Sequence, residues 1–230
     1  MIDLLIFDCD GVLIDSEPLA SACMADSFIE WGAKTDHAEV HRMFTGLGFD
    51  DGAELARQSW GITDYPARIA RMNEMLYPRF AAELTEMAGM SDLLARFAHL
   101  PKCVASNSKV DRLDHSLGLL PIRAAFGDHV YSAEHVARGK PAPDLVYHCL
   151  DKMGRRRDQA LMVDDSPHGL EAAVAAGVLA IGFVDPADPR AGRIEALQAA
   201  GADHVVTGVA ELSDLIARLT APQVEEVRHG

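Results

Sequence analysis

Leu4-Leu5-Ile6-Phe7-Asp8-Cys9-Asp10-Gly11 is the stretch on which the fold turns. Four apolar residues run straight into two carboxylates set two positions apart. In an extended strand such positions share a face. Two unit charges about 4 Å apart repel by roughly 4 kcal/mol at an effective dielectric near 20. The pair therefore calls for a cation between the acids, or for a proton kept on one of them for chemistry. Cys9, between them, points to the opposite face and is expected in the core.

Working outward, further short runs rich in Val, Ile and Leu occur at 102–105, 161–163, 178–183 and 204–206, with a weaker one at 130–131. Each is followed by a helix-like stretch. Continuous apolar strands alternating with helices predict an α/β fold, a doubly wound parallel sheet covered on both faces. Between the first two strands the character changes. Apolar residues recur at helical spacing over 19–31, 40–44, 53–60 and 67–80, punctuated by Gly32, Gly46, Gly48, Gly52 and Gly61. This predicts a small helical domain over 16–84 inserted into a sheet domain made of 1–15 and 85–221. Residues 222–230 are charged and aperiodic, and are expected to form a flexible tail.

The chain has 230 residues, 49% of them hydrophobic, enough for a full core, and a net charge of −14. That charge argues against binding a nucleic-acid backbone, and an anionic substrate must then meet a local positive site. Cys9, Cys23, Cys103 and Cys149 show no C-x-x-C or Cys/His metal spacing, which points to a reduced, cytoplasmic setting. Asp3 and the lack of a basic n-region speak against a signal peptide. No uncharged apolar run approaches ~18 residues, so no membrane span is expected.

In a doubly wound sheet, ligands bind beyond the carboxyl ends of the strands. Four polar clusters fall at or near such ends: Asp8/Asp10; Ser106-Asn107-Ser108; Gly139-Lys140-Pro141-Ala142-Pro143-Asp144; and Asp164-Asp165-Ser166. Oxygen ligands from Asp8, Asp10 and Asp165 suit Mg²⁺. Ser106 and the N–H groups at a helix start can donate to a phosphate. Lys140 brings a positive charge to a phosphoryl group and the carboxylates together.

These four motifs, in this order, resemble those of the haloacid dehalogenase-like superfamily, across about 2–219. The resemblance implies a Rossmann-like core. The helical insertion resembles the small cap of the β-phosphoglucomutase-like branch. Cys103 to Gly118 and the Asp164-Asp165-Ser166 form are similar to the sugar-phosphate phosphatases that include 6-phosphogluconate phosphatase. Carried over, the resemblance makes Asp8 the nucleophile and Asp10 the general acid, then base, with its carbonyl on Mg²⁺. Asp165 completes the metal site, and Asp164 is either a ligand or a partner of one. Ser106, the Asn107 amide and Lys140 hold the phosphate. Thr45, Gly46, Leu47 and Gly48 match the substrate-reading cap loop by position. Arg42, Arg57, Arg68 and Arg71 are the basic candidates in the cap.

The expected activity is Mg²⁺-dependent hydrolysis of a small phosphate monoester, a sugar or sugar-acid phosphate, by a monomer or weak homodimer. A phosphosugar mutase of the β-phosphoglucomutase kind would use the same residues. Mutases carry an Arg-Lys-Asn run in the cap where this chain has Arg71-Met72-Asn73. A non-catalytic binding protein on the same fold is the third reading. The presence of Asp10 disfavours dehalogenase and phosphonatase chemistry.

Overall fold

The computed structural model describes residues 1–45, 47, 49–188 and 190–221. Gly46 and Gly48 of the expected cap loop, and the expected tail at 222–230, lie outside the described residues.

Strand β1 (Leu4–Phe7) is buried at every position. Its side chains alternate between two apolar clusters. Leu5 and Phe7 join one with Leu161, Val163 and Ile181, whereas Leu4 and Ile6 join another with Leu145, Leu170 and Ala180. A strand with no polar position is what two covered faces demand. β2 (Lys102–Ser106), β3 (Val130–Ser132), β4 (Ala160–Asp164), β5 (Leu179–Val184) and β6 (His204–Thr207) complete one six-stranded parallel sheet of order β3-β2-β1-β4-β5-β6. All six expected strands are present, including the weakly signalled β3.

β1 pairs with both β2 and β4, so the chain order reverses beside it. Such a reversal opens a crevice at the carboxyl ends. Phe7 lies in register with Val104 and Val163. That register brings the polar residues following β1, β2 and β4 to one edge of the sheet.

Four helices separate β1 from the rest: α1 (Glu17–Trp31), α2 (His37–Phe44), α3 (Phe49–Trp60) and α4 (Tyr65–Glu83). Gly32, at φ +105°, ends α1, and the Asp36 carboxylate accepts from Glu39 N to start α2. They share a small core in which the rings of Phe28, Phe44 and Trp60 lie 5.2–5.6 Å apart. Gly52 does not break a helix as its composition suggests. It sits inside α3 because a Cβ there would run into the Tyr65 hydroxyl. Met72, Leu76 and Phe80 of α4 instead face the core of the sheet. The two chain crossings lie side by side, with Asp15 N donating to Thr85 O and Met87 N to Leu13 O, both at 3.0 Å.

The remaining helices cover the sheet. α5 (Met90–Arg96), α6 (Val110–Gly118) and α10 (Gly208–Thr220) lie on one face; α7 (Asp144–Met153), α8 (Pro167–Ala176) and α9 (Arg193–Ala199) lie on the other. Among the described residues, no helix is long and apolar enough to cross a membrane.

Candidate active site

Asp8 follows β1 directly, and its N–H donates to Val163 O across the sheet at 2.9 Å. Asp164 ends β4, and Ser166 caps α8 by accepting from Gly169 N. Lys140 enters from the turn before α7. Its ammonium lies 2.8 Å from Asp8 Oδ1 and 2.7 Å from Asp164 Oδ2. All three side chains are buried. Burial opposes the charge on Lys140, but the carboxylates of Asp164 and Asp8 overcome it and hold the ammonium above its ordinary pKa.

Asn107 braces that lysine. Its side-chain Nδ2 donates to Lys140 O and its Oδ1 accepts from Lys140 N, each at 2.8 Å. The Asn107 side-chain amide is thus engaged with the backbone of Lys140. Ser106 Oγ accepts from Ser108 N at 3.1 Å, and its own hydroxyl proton stays available.

Asp8, Asp164 and Asp165 each offer an oxygen, all within 4.8 Å of one another. Burial pushes the Asp8 carboxyl up to about 7 against the pull of Lys140. Burial, then the charges of Glu17, Asp164 and Asp8, push Asp165 well above the usual range. Asp8 Oδ1 meets the lysine charge but no aligned hydrogen bond among the described residues. Three crowded carboxylates and an oxygen lacking a donor suit a hard dication. Asp164 is the member least free for it. Its Oδ1 accepts from Ser166 N and Oγ, and its Oδ2 from Lys140.

Gly11 and Gly169 make room for this trio. Gly11 turns at φ +75°, and a Cβ there would lie 2.8 Å from Asp165 Oδ2. A Cβ on Gly169 would overlap the Asp164 carboxylate. Gly169→Ala is therefore expected to cost about 1–3 kcal/mol and to push Asp164 off Lys140. Urea denaturation together with turnover checks this, and a variant of wild-type stability and rate refutes it.

Asp10 stands apart. Its carboxyl accepts from Ser16 Oγ, from Ser108 Oγ at 2.7 Å and from Arg112 Nη2 at 3.1 Å. Burial pushes it up, but the Arg112 charge and these hydrogen bonds win and hold it below the ordinary value. Cys9 is buried in the apolar cluster as expected, with its thiol pushed well up by burial.

The family profile described as haloacid dehalogenase-like hydrolase matches residues 5–183. The chain is a haloacid dehalogenase-like hydrolase. Among curated members, 6-phosphogluconate phosphatase of Escherichia coli is 31% identical over 196 residues, covering 82% of this chain and 84% of that protein. A haloacid dehalogenase-like protein of unknown function from Agrobacterium tumefaciens superposes with a TM-score of 0.86 at 30% identity, covering 96% of this chain and all (100%) of that one. A haloacid dehalogenase family hydrolase from Deinococcus radiodurans, solved with bound phosphate and sodium, gives 0.81 at 29% identity, covering 94% and 96%.

In this haloacid dehalogenase-like hydrolase the expected cap residues are less concentrated. Thr45 Oγ1 bonds with Ser21 Oγ at 3.1 Å and His41 Nδ1 at 3.0 Å, and Leu47 is exposed. Arg57 pairs with Glu54, Arg71 with Glu30 and Glu74, and Arg68 lies over the Trp31 ring. Arg42 is exposed.

A cleft of about 90 Å³ runs instead past Gly11, Glu17, His41 and Asp165 to Arg190 and Arg193. Arg193 Nη2 donates to the Asp165 main-chain oxygen and lies 3.2 Å from its Oδ2. Arg190 pairs with Asp188 and, at 3.0 Å, with Glu17 at the start of α1. Sequence reasoning missed Arg112, Arg190 and Arg193. The strand-end rule, carried on past β5, would have pointed to 185–193. Arg112 sits six residues after Ser106, in the first turn of α6, where helical geometry turns it back toward Asp10.

Proposed function

We propose that this phosphoric monoester hydrolase is a Mg²⁺-dependent phosphatase of small sugar or sugar-acid phosphates. It works through an aspartyl-phosphate on Asp8, with 16–84 as its cap and the paired crossings at 14–17 and 83–89 as the hinge. The observation that carries this reading is Lys140, buried between Asp8 and Asp164 beside the carboxylate trio. That arrangement holds a nucleophile and an anion-binding cation at one point. The names of the curated relatives supply the substrate class.

Asp8, Asp165 and the Asp10 carbonyl would hold the metal. A bound Mg²⁺ supplies charge neutralisation at the phosphoryl oxygens. Lys140, Ser106 Oγ and the Asn107 N–H hold the phosphoryl group. Asp8 attacks phosphorus while Asp10, whose donors favour its ionised form in the free protein, has to be protonated in the substrate complex to pass a proton to the departing alkoxide. Asp10 then takes a proton from water, which attacks phosphorus and returns the electron pair to Asp8. Asp164 acts by fixing Lys140. A panel of phosphorylated sugars with Mg²⁺ tests the reading. Free phosphate release supports it; movement of phosphate without release indicates a mutase, and no reaction across the panel a binding protein.

The raised carboxyls give a pH test. Asp8 and Asp165 hold protons in the chelator-treated protein that the unfolded chain, near the ordinary value, would lose. Their contribution to stability is present below about pH 4 and is lost as pH rises through about 7 for Asp8. Metal binding needs both ionised, so it strengthens over the same window. The rise in Tm caused by Mg²⁺ is expected to be larger at about pH 8 than at about pH 5.5. An equal or smaller rise at the higher pH refutes the assignment.

A further inference from the structure

α6 makes three contacts that sequence reasoning did not foresee. On one side Arg112 Nη2 donates to Asp10 Oδ1 at 3.1 Å. On the other, its guanidinium lies 5.7 Å over the ring of Phe80 in α4. One turn further on, His115 meets Tyr77 of α4 edge to face at 4.7 Å. The Phe80 face backs the cation, so it cannot swing away from Asp10 without losing that contact as well. Two hydroxyls, Ser16 and Ser108, complete a set of three donors on the Asp10 carboxyl. Three donors from separate segments of the chain fix where that carboxyl lies.

We propose that Arg112 is a positioning residue for the second half of the reaction, holding the Asp10 carboxylate as the acceptor for the proton of the attacking water. The inference rests on the phosphatase reading above. In that step the water oxygen bonds to phosphorus and the Asp8–phosphorus bond breaks. Its electron pair returns to Asp8, and the water proton passes to Asp10. Arg112 touches neither water nor phosphate. It fixes where the acceptor lies.

p-Nitrophenyl phosphate isolates the step, because its leaving group departs without needing a proton. With Arg112→Met, kcat is expected to fall by about 10- to 100-fold, within the range general base catalysis supplies. The ratio kcat/KM, which reports the first half alone, should fall by less than about threefold. A burst of nitrophenolate and acid-stable trapping of phosphate on the protein should appear. Arg112→Lys, which keeps the charge, should restore kcat to within about threefold of wild type. A parallel fall in kcat and kcat/KM with no burst overturns the proposal, as does an unchanged kcat. If Arg112→Met does not fold, Arg112→Gln carries the same comparison. Asp10→Asn separates the two levels. A burst there without one in the Arg112 variants removes only the role of Arg112, whereas no trapped phosphate in any variant removes the aspartyl-phosphate reading itself.

Discussion

Asp8→Asn protein is expected to release phosphate at least about 10⁴-fold more slowly than wild type, the scale on which removing a covalent nucleophile acts. The substitution is nearly isosteric and removes only the charged oxygen that would attack phosphorus. Stability should survive it. The Asp8 carboxyl is already pushed up to about 7 by burial, so a neutral group suits the site above that pH. Lys140 keeps Asp164 as its partner. The variant should therefore melt no lower than wild type and take up no phosphate label. The measurements are phosphate release, acid-quench labelling and a melting curve. Wild-type turnover in folded Asp8→Asn protein would falsify the mechanism.

Lys140→Met should be damaging in both respects. It leaves the buried carboxylates of Asp8 and Asp164 facing each other without their cation. Breaking a buried pair by removing one partner costs about 3–5 kcal/mol, and, on the proposed mechanism, losing the charge that would hold the phosphoryl group costs about 10²–10³ in kcat. The pH dependence has a definite sign. The folded pKa of Lys140 is raised, so its contribution is complete below the ordinary lysine value and lost only as pH rises beyond it. In the variant, Asp8, already pushed up to about 7 by burial, is neutral in acid and carries a buried charge only above that range. The stability deficit should thus be small near pH 5 and grow toward pH 8. A deficit independent of pH would mean that Lys140 acts by packing alone.

Much of this molecule is legible in its residues. Uninterrupted apolar runs at 4–7 and 161–163 can be satisfied only by a sheet covered on both faces, and every such run became a strand. Asp8, Lys140, Asp164 and Asp165 were visible because strand ends converge in this topology whatever the loops do. Gly52 was misread because a glycine needed for close packing against Tyr65 looks, in sequence, like one that ends a helix. Arg112, Arg190 and Arg193 were missed because an arginine on a helix or loop carries no pattern of its own. Its meaning is its partner, and Asp10 and Arg112 are 102 positions apart.

The sequence by itself determined the order of layers, the strand ends and the four polar clusters, since these follow from local hydrophobic period and chain direction. Only the tertiary structure decided how the acids divide their work. Asp8 and Asp165 remain as neighbouring buried carboxylates, Asp164 is taken up by Lys140 and Ser166, and Asp10 turns to Arg112. Those outcomes depend on desolvation and on distances between residues far apart in the chain, and an ionisable group takes its character from what folding brings beside it.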